Sequence, residues 1–67
     1  MIEVNVNGAA QRCESDTNIS ALLDYLQLAG KRVAVERNGE IVPRSRFAQT
    51  PLANGDQLEI VVAVGGG

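Results

Sequence analysis

Residues 58–64 read Leu58-Glu59-Ile60-Val61-Val62-Ala63-Val64, and the placement of this run decides the fold. Leu58, Ile60, Val62 and Val64 recur at every second position, which is the period of a strand that turns one face to a core. Val61 and Ala63 point the other way along the same strand. Asn54-Gly55-Asp56 just before it is a turn signal, because Asn and Gly tolerate the positive φ that tight turns require.

The other strongly apolar strand lies at the opposite end of the chain. Ile2, Val4 and Val6 alternate with Glu3 and Asn5, and Asn7-Gly8 then reads as a type I′ hairpin turn. A second strand is expected over roughly Ala10 to Glu14. Ser15-Asp16-Thr17-Asn18 gathers turn and cap formers, with Asn18 the expected N-cap of a helix. Ile19, Leu22, Leu23 and Leu26 recur at i, i+3, i+4 and i+7, an amphipathic stripe. Gly30 sits where a left-handed C-terminal cap belongs, giving a helix of about three turns.

Val33 and Val35 alternate into Asn38-Gly39, and Ile41-Val42 follow, so a second hairpin is expected before Pro43 removes a ladder donor. Arg44 to Thr50 has room for one short helical turn anchored by Phe47. The order is strand, strand, helix, strand, short strand, long strand. A single helical stripe is buried most simply by packing one main helix across one face of a four-to-five-stranded mixed sheet. With the first and last strands parallel at its centre, this α+β arrangement is the ubiquitin-like β-grasp. The expected organisation is one domain over residues 1–64 and a flexible glycine tail over 65–67.

Composition excludes several function classes. The chain has 67 residues, 45% of them hydrophobic, which is enough for one small core and too little for a deep catalytic cleft. It has no His, one Cys and no carboxylates at metal-ligand spacing. The usual general bases, nucleophile pairs and metal sites are therefore missing, and no metal site, bound cofactor or independent enzyme is expected. Cys13 reads as a small, partly buried apolar residue. It cannot form an internal disulfide, which favours a reducing, cytoplasmic setting. A net charge of -2 argues against nucleic-acid binding. No stretch has the length of a signal peptide or membrane span, so a protein free of the membrane is expected, monomeric when alone.

What is left is the terminus, Val64-Gly65-Gly66-Gly67. Glycines that follow directly on an apolar strand are projected from a fixed place. Extended, they reach roughly 10 Å, enough to carry a carboxylate into a partner's active site. Without Cβ atoms they pass a narrow channel while their amides still bond to its walls. The carboxylate is a poor electrophile until a partner enzyme and ATP convert it to an acyl-adenylate. Gly67 is then the reacting group and Gly65 and Gly66 its stalk.

The middle of the chain narrows the reading further. Val33-Ala34-Val35-Glu36-Arg37-Asn38-Gly39-Glu40-Ile41-Val42-Pro43-Arg44, followed by Leu52, Gly55-Asp56 and the glycine terminus, resembles the ThiS family. These are the ubiquitin-like sulfur carriers of thiamine biosynthesis. The resemblance covers essentially the whole chain. It implies that Gly67 is adenylated by an E1-like enzyme (ThiF) using ATP, and is converted to a thiocarboxylate with sulfur from a donor such as a cysteine desulfurase. The sulfur then passes to thiazole synthase (ThiG). It also gives Val61, Ala63 and Val64 a role as a partner-docking patch, with Arg44 and Arg46 at its rim. The open alternatives are that loops cover Val61 and Ala63, and that the two arginines are merely solvated beside a turn. The rival functions are the small subunit of molybdopterin synthase, a protein-conjugating modifier, and a non-catalytic β-grasp interaction module.

Overall fold

A computed structural model describes residues 1–63. Val64, expected on the core face of the last strand, and the tail Gly65, Gly66 and Gly67 lie outside the described residues. The elements run β1 (Ile2–Val6), β2 (Ala9–Cys13), α1 (Ile19–Tyr25), β3 (Val33–Arg37), β4 (Glu40–Val42), a 3-10 turn (Arg44–Gln49) and β5 (Gln57–Val62). The five strands form one sheet in the order β2-β1-β5-β3-β4. β1 and β5 are parallel neighbours, and every other pairing is antiparallel. This is the expected β-grasp arrangement with β5 at the centre.

Both hairpins follow from local chemistry. Asn7 and Gly8 have φ of 53° and 87°, and Asn38 and Gly39 have 52° and 86°. Positive φ at both central positions is the type I′ signature, whose twist matches that of the flanking strands. β2 begins one residue earlier than expected, because this two-residue turn pairs Ala9 directly with Val6.

The helix starts where expected and stops sooner. Asn18 accepts a hydrogen bond from the Ala21 N–H at 2.8 Å, capping the first turn. The helix has 7 residues and ends at Tyr25 with Leu26 as its C-cap, two turns rather than three. Gln27, not Gly30, is the left-handed residue at its end, with φ of 62°. The Leu28 N–H reaches the Leu23 carbonyl and the Gln27 N–H that of Asp24, which together form a Schellman motif. Gly30, at φ 82°, instead sits third in a turn closed by the bond from Lys31 N–H to the Leu28 carbonyl.

The core lies between α1 and one sheet face. Ile19, Leu22 and Leu23 of the helix meet Val4, Val35, Leu58 and Ile60 of the three central strands. Phe47 anchors the 3-10 turn and Leu52 closes the cluster beneath the start of the helix. The Leu52 N–H bonds to the Thr17 carbonyl and the Ile19 N–H to that of Thr50, so the connection into β5 is stitched to the helix N-terminus. Val62 departs from expectation. It shares a face with Leu58 and Ile60, yet it is 39% exposed, because the short helix does not extend over that end of β5.

Candidate functional site

The candidate site is the C-terminal end of β5 and the sheet face that the helix leaves uncovered. Antiparallel register sets Ala34 opposite Val61, Glu36 opposite Glu59, and Ile41 opposite Glu36. These residues share the face away from the core. Val61 is 61% and Ile41 76% exposed, and Ala34 and Ala63 are exposed too. No loop covers Val61 or Ala63 among the described residues.

Strand pairing fixes the exit. The Ala63 N–H donates to the Arg32 carbonyl at 2.8 Å, extending the β3–β5 ladder one step beyond Val33 and Val62. Arg32 therefore lies beside the last described residue. The Arg44 guanidinium approaches the Lys31 carbonyl at 3.4 Å, a long contact that still brings Arg44 to the same end. Lys31, Arg32 and Arg44 thus collect at the exit, in a chain whose net charge is -2.

Arg44 and Arg46 are not a pair. Arg46 lines a cleft of about 300 Å³ with Arg37, Asn38 and Ile41, toward the hairpin end of β3. Lys31 and Arg32 went unremarked in the sequence. The signal was there, since two cations directly before β3 must fall beside the end of an antiparallel β5.

The middle of the uncovered face has the opposite sign. Glu36 and Glu59 face one another across β3 and β5, and among the described residues neither is in an ion pair. Like charges directly opposed on a sheet are destabilising. The ion pair that does form, Arg37 Nε to Asp56 Oδ2 at 2.9 Å, sits at the start of β5. Asp56 is 5% exposed and accepts two more bonds, from the Ala53 N–H and the Asn38 amide. Burial pushes its pKa up, but the bonds from Ala53, Asn38 and Arg37 outweigh that and hold it below the usual carboxylate value.

Among the described residues no three His, Cys, Asp or Glu side chains come together as a metal site, and no helix is long and apolar enough to cross a membrane. Cys13 is half-buried and lines a separate cleft with Met1, Arg12 and Tyr25, between β2 and α1.

A five-stranded sheet gripping one helix, its C-terminal strand central and one face bare, places the molecule among ubiquitin-like β-grasp proteins. The model of the ThiS family matches residues 4–67, the glycine run included, and the chain belongs to that family. It is 42% identical over 65 residues to the sulfur carrier protein ThiS of Bacillus subtilis, covering 96% of this chain and 98% of that protein. The crystal structure of the thiamine biosynthesis protein ThiS from Geobacter metallireducens superposes with a TM-score of 0.82 at 33% identity, covering 98% of this chain and all of that one. A thiazole synthase of Paramagnetospirillum magneticum is 45% identical over 62 residues; the match takes in 92% of this chain and 19% of that protein. The chain therefore spans less than a fifth of the length of that relative.

Proposed function

We propose that this protein is a sulfur carrier of thiamine biosynthesis and that the Gly67 carboxylate is the group that carries the sulfur. The observation that bears most weight is the family match over residues 4–67, which takes in both the fold and the glycine run. The protein is a cosubstrate and not a catalyst. Its residues supply a rigid body, a docking face and a reactive end, while the chemistry belongs to partners.

In the first step the Gly67 carboxylate oxygen attacks the α-phosphorus of ATP on an E1-like adenylating enzyme of the ThiF kind. The bond to the leaving pyrophosphate breaks and an acyl-adenylate forms. A hydrosulfide equivalent, released when a thiol reduces the persulfide of a donor such as a cysteine desulfurase and a disulfide is left behind, then attacks the acyl carbon. AMP departs, a proton is lost, and a thiocarboxylate remains. Glycine suits the reacting position because no side chain hinders attack at that carbon. The recipient is a thiazole synthase. This is supported by segments similar to this chain within the thiazole synthases of P. magneticum and Magnetococcus marinus.

The docking patch centres on Val61 and Ala63, with Arg44 at the exit and Arg46 at the far rim beside Ile41; Val64, the third residue assigned to it, lies outside the described residues. Lys31 and Arg32 join Arg44 to give the exit a positive collar. A reducing cytoplasm suits a thiocarboxylate and a chain with a single, unpaired Cys13.

The test is an intact-mass measurement. After incubation with ATP, a sulfur source and an active adenylating enzyme, the protein should gain about 16 Da, one oxygen replaced by sulfur. Deletion of Gly67 should abolish the gain. An unchanged mass with the enzyme shown active would reduce the protein to an interaction module. Rescue of thiazole auxotrophy, and not of molybdopterin auxotrophy, is expected to fix the pathway.

A further inference from the structure

Both hairpin asparagines touch the central strand. Asn38 pins the start of β5: its Oδ1 accepts from the Gln57 N–H at 2.9 Å, and its own N–H donates to the Gln57 carbonyl at 2.7 Å. Asn7 acts further along. Its Oδ1 accepts from the Ile60 N–H at 2.8 Å and its Nδ2 donates to the Ile60 carbonyl at 3.0 Å. One side-chain amide thus bonds both backbone groups of one residue, standing in for the carbonyl of one residue and the N–H of the residue two further on that a continuing parallel strand would supply.

The reason lies in where β1 ends. Its ladder to β5 covers Asn5 and Val6 against Gln57 and Leu58, and the Asn7 N–H adds a bond to the Leu58 carbonyl. At Gly8 the backbone turns away with φ of 87°. Ile60 would lose its neighbour on that side, and the Asn7 amide replaces it. Beyond Ile60, β5 pairs only with β3, up to Val33 and Val62. The turn itself demands only a positive φ, which glycine supplies as readily as asparagine. The amide is what asparagine adds.

We infer that Asn7 is a positioning residue for the carrier reaction: it fixes the last point at which β5 is held from both sides, and so the direction in which the chain leaves the sheet. This rests on the sulfur-carrier reading proposed above. With the clamp in place, β5 is held from both sides as far as Ile60 and by β3 alone from there to Ala63. Without it, pairing on both sides stops at Leu58 and the rest of the strand hangs on β3 alone, so a partner must order a looser strand end. That cost falls on productive docking and not on the chemical step, so it appears in KM.

The test uses Asn7→Gly, which keeps the backbone turn and deletes the amide, with Asn38→Gly as its control at the other end of β5. Amide exchange at Ile60 should quicken by about tenfold or more in Asn7→Gly, the equivalent of one lost hydrogen bond, with Val35 unchanged. In ATP–pyrophosphate exchange with the adenylating enzyme, its KM should rise about tenfold with kcat kept within about twofold. Asn38→Gly should lower the unfolding midpoint while leaving KM near that of the parent. Unaltered Ile60 exchange, an unaltered KM, or equal KM rises in both variants would each overturn the inference. If Asn7→Gly does not fold at the assay temperature, Asn7→Asp is read in the same way. It keeps the acceptor for the Ile60 N–H but sets an oxygen against the Ile60 carbonyl, so a rise in KM is again expected; none would overturn the inference. A parent protein that is not adenylated at all would refute the carrier reading instead, and the exchange rates would still report on the clamp.

Discussion

Asp56 is a charge in a place where burial opposes charge. Three donors hold it there: the Ala53 N–H at 2.8 Å, Arg37 Nε at 2.9 Å and Asn38 Nδ2 at 3.1 Å. Its pKa lies below the ordinary value of 3.8, so the folded state binds this proton less readily than the unfolded one. The stability it contributes is full above that ordinary value and is lost as pH falls through the depressed one. Asp56→Asn should therefore cost about 1–3 kcal/mol at pH 7, since an amide cannot accept from all three donors. Denaturant titrations should show the gap closing as pH falls below 3.8 and through the depressed value; curves that stay parallel throughout the acid limb would remove Asp56 from the account. In the sequence this residue reads only as part of the Asn54-Gly55-Asp56 turn. Its partners lie 18 and 19 positions away, and no local pattern announces a contact made through sheet register. The same holds for Asn7, whose side chain answers to a residue 53 positions on.

Strands and hairpins were legible because their signals are local. Period-two alternation, two Asn-Gly turns and the Asn18 cap each act within a few residues, and each element appears where its signal stands. The end of α1 was not legible, because a left-handed cap is usually glycine and this helix uses Gln27 at φ 62°. What stops the helix there is tertiary: Leu28, half-buried, packs back against the core as the Schellman geometry closes. An L-residue in that conformation carries strain, so Gln27→Gly should stabilise the fold by roughly 0.5–1 kcal/mol after the added freedom of the unfolded chain is discounted. A thermal midpoint that does not rise would show that the Gln27 side chain compensates for its backbone. β2 is the other element the sequence drew only approximately. As an edge strand with exposed Ala9, Ala10 and Arg12, it lacks the strong alternation that a buried face imposes.

At the scale of the whole molecule, one face of the sheet is used for folding and the other is bare. Val61 stands on the bare face, so Val61→Asp should change stability by no more than about 0.5 kcal/mol, while raising KM for adenylation and slowing delivery to thiazole synthase. A well-folded Val61→Asp protein with normal transfer would move docking off this face. The sequence could name Val61 and Ala63 as outward-pointing. It could not show them uncovered, because that depends on the path of the Arg44–Gln49 turn and its Phe47 anchor, which pack on the helix side. It also could not separate Arg44 from Arg46, whose two-residue spacing says nothing of the opposite ends to which a 3-10 turn sends them. The central position of β5 has one more consequence. The strand that leads to the exit is the last in the chain, and it joins residues 5 and 6 to 57 and 58, a closure across nearly the full sequence that no local folding can anticipate. A copy that has not completed this closure has no seated β5, so on the sulfur-carrier reading proposed above the sheet would act as a checkpoint, with only fully folded molecules offered for loading.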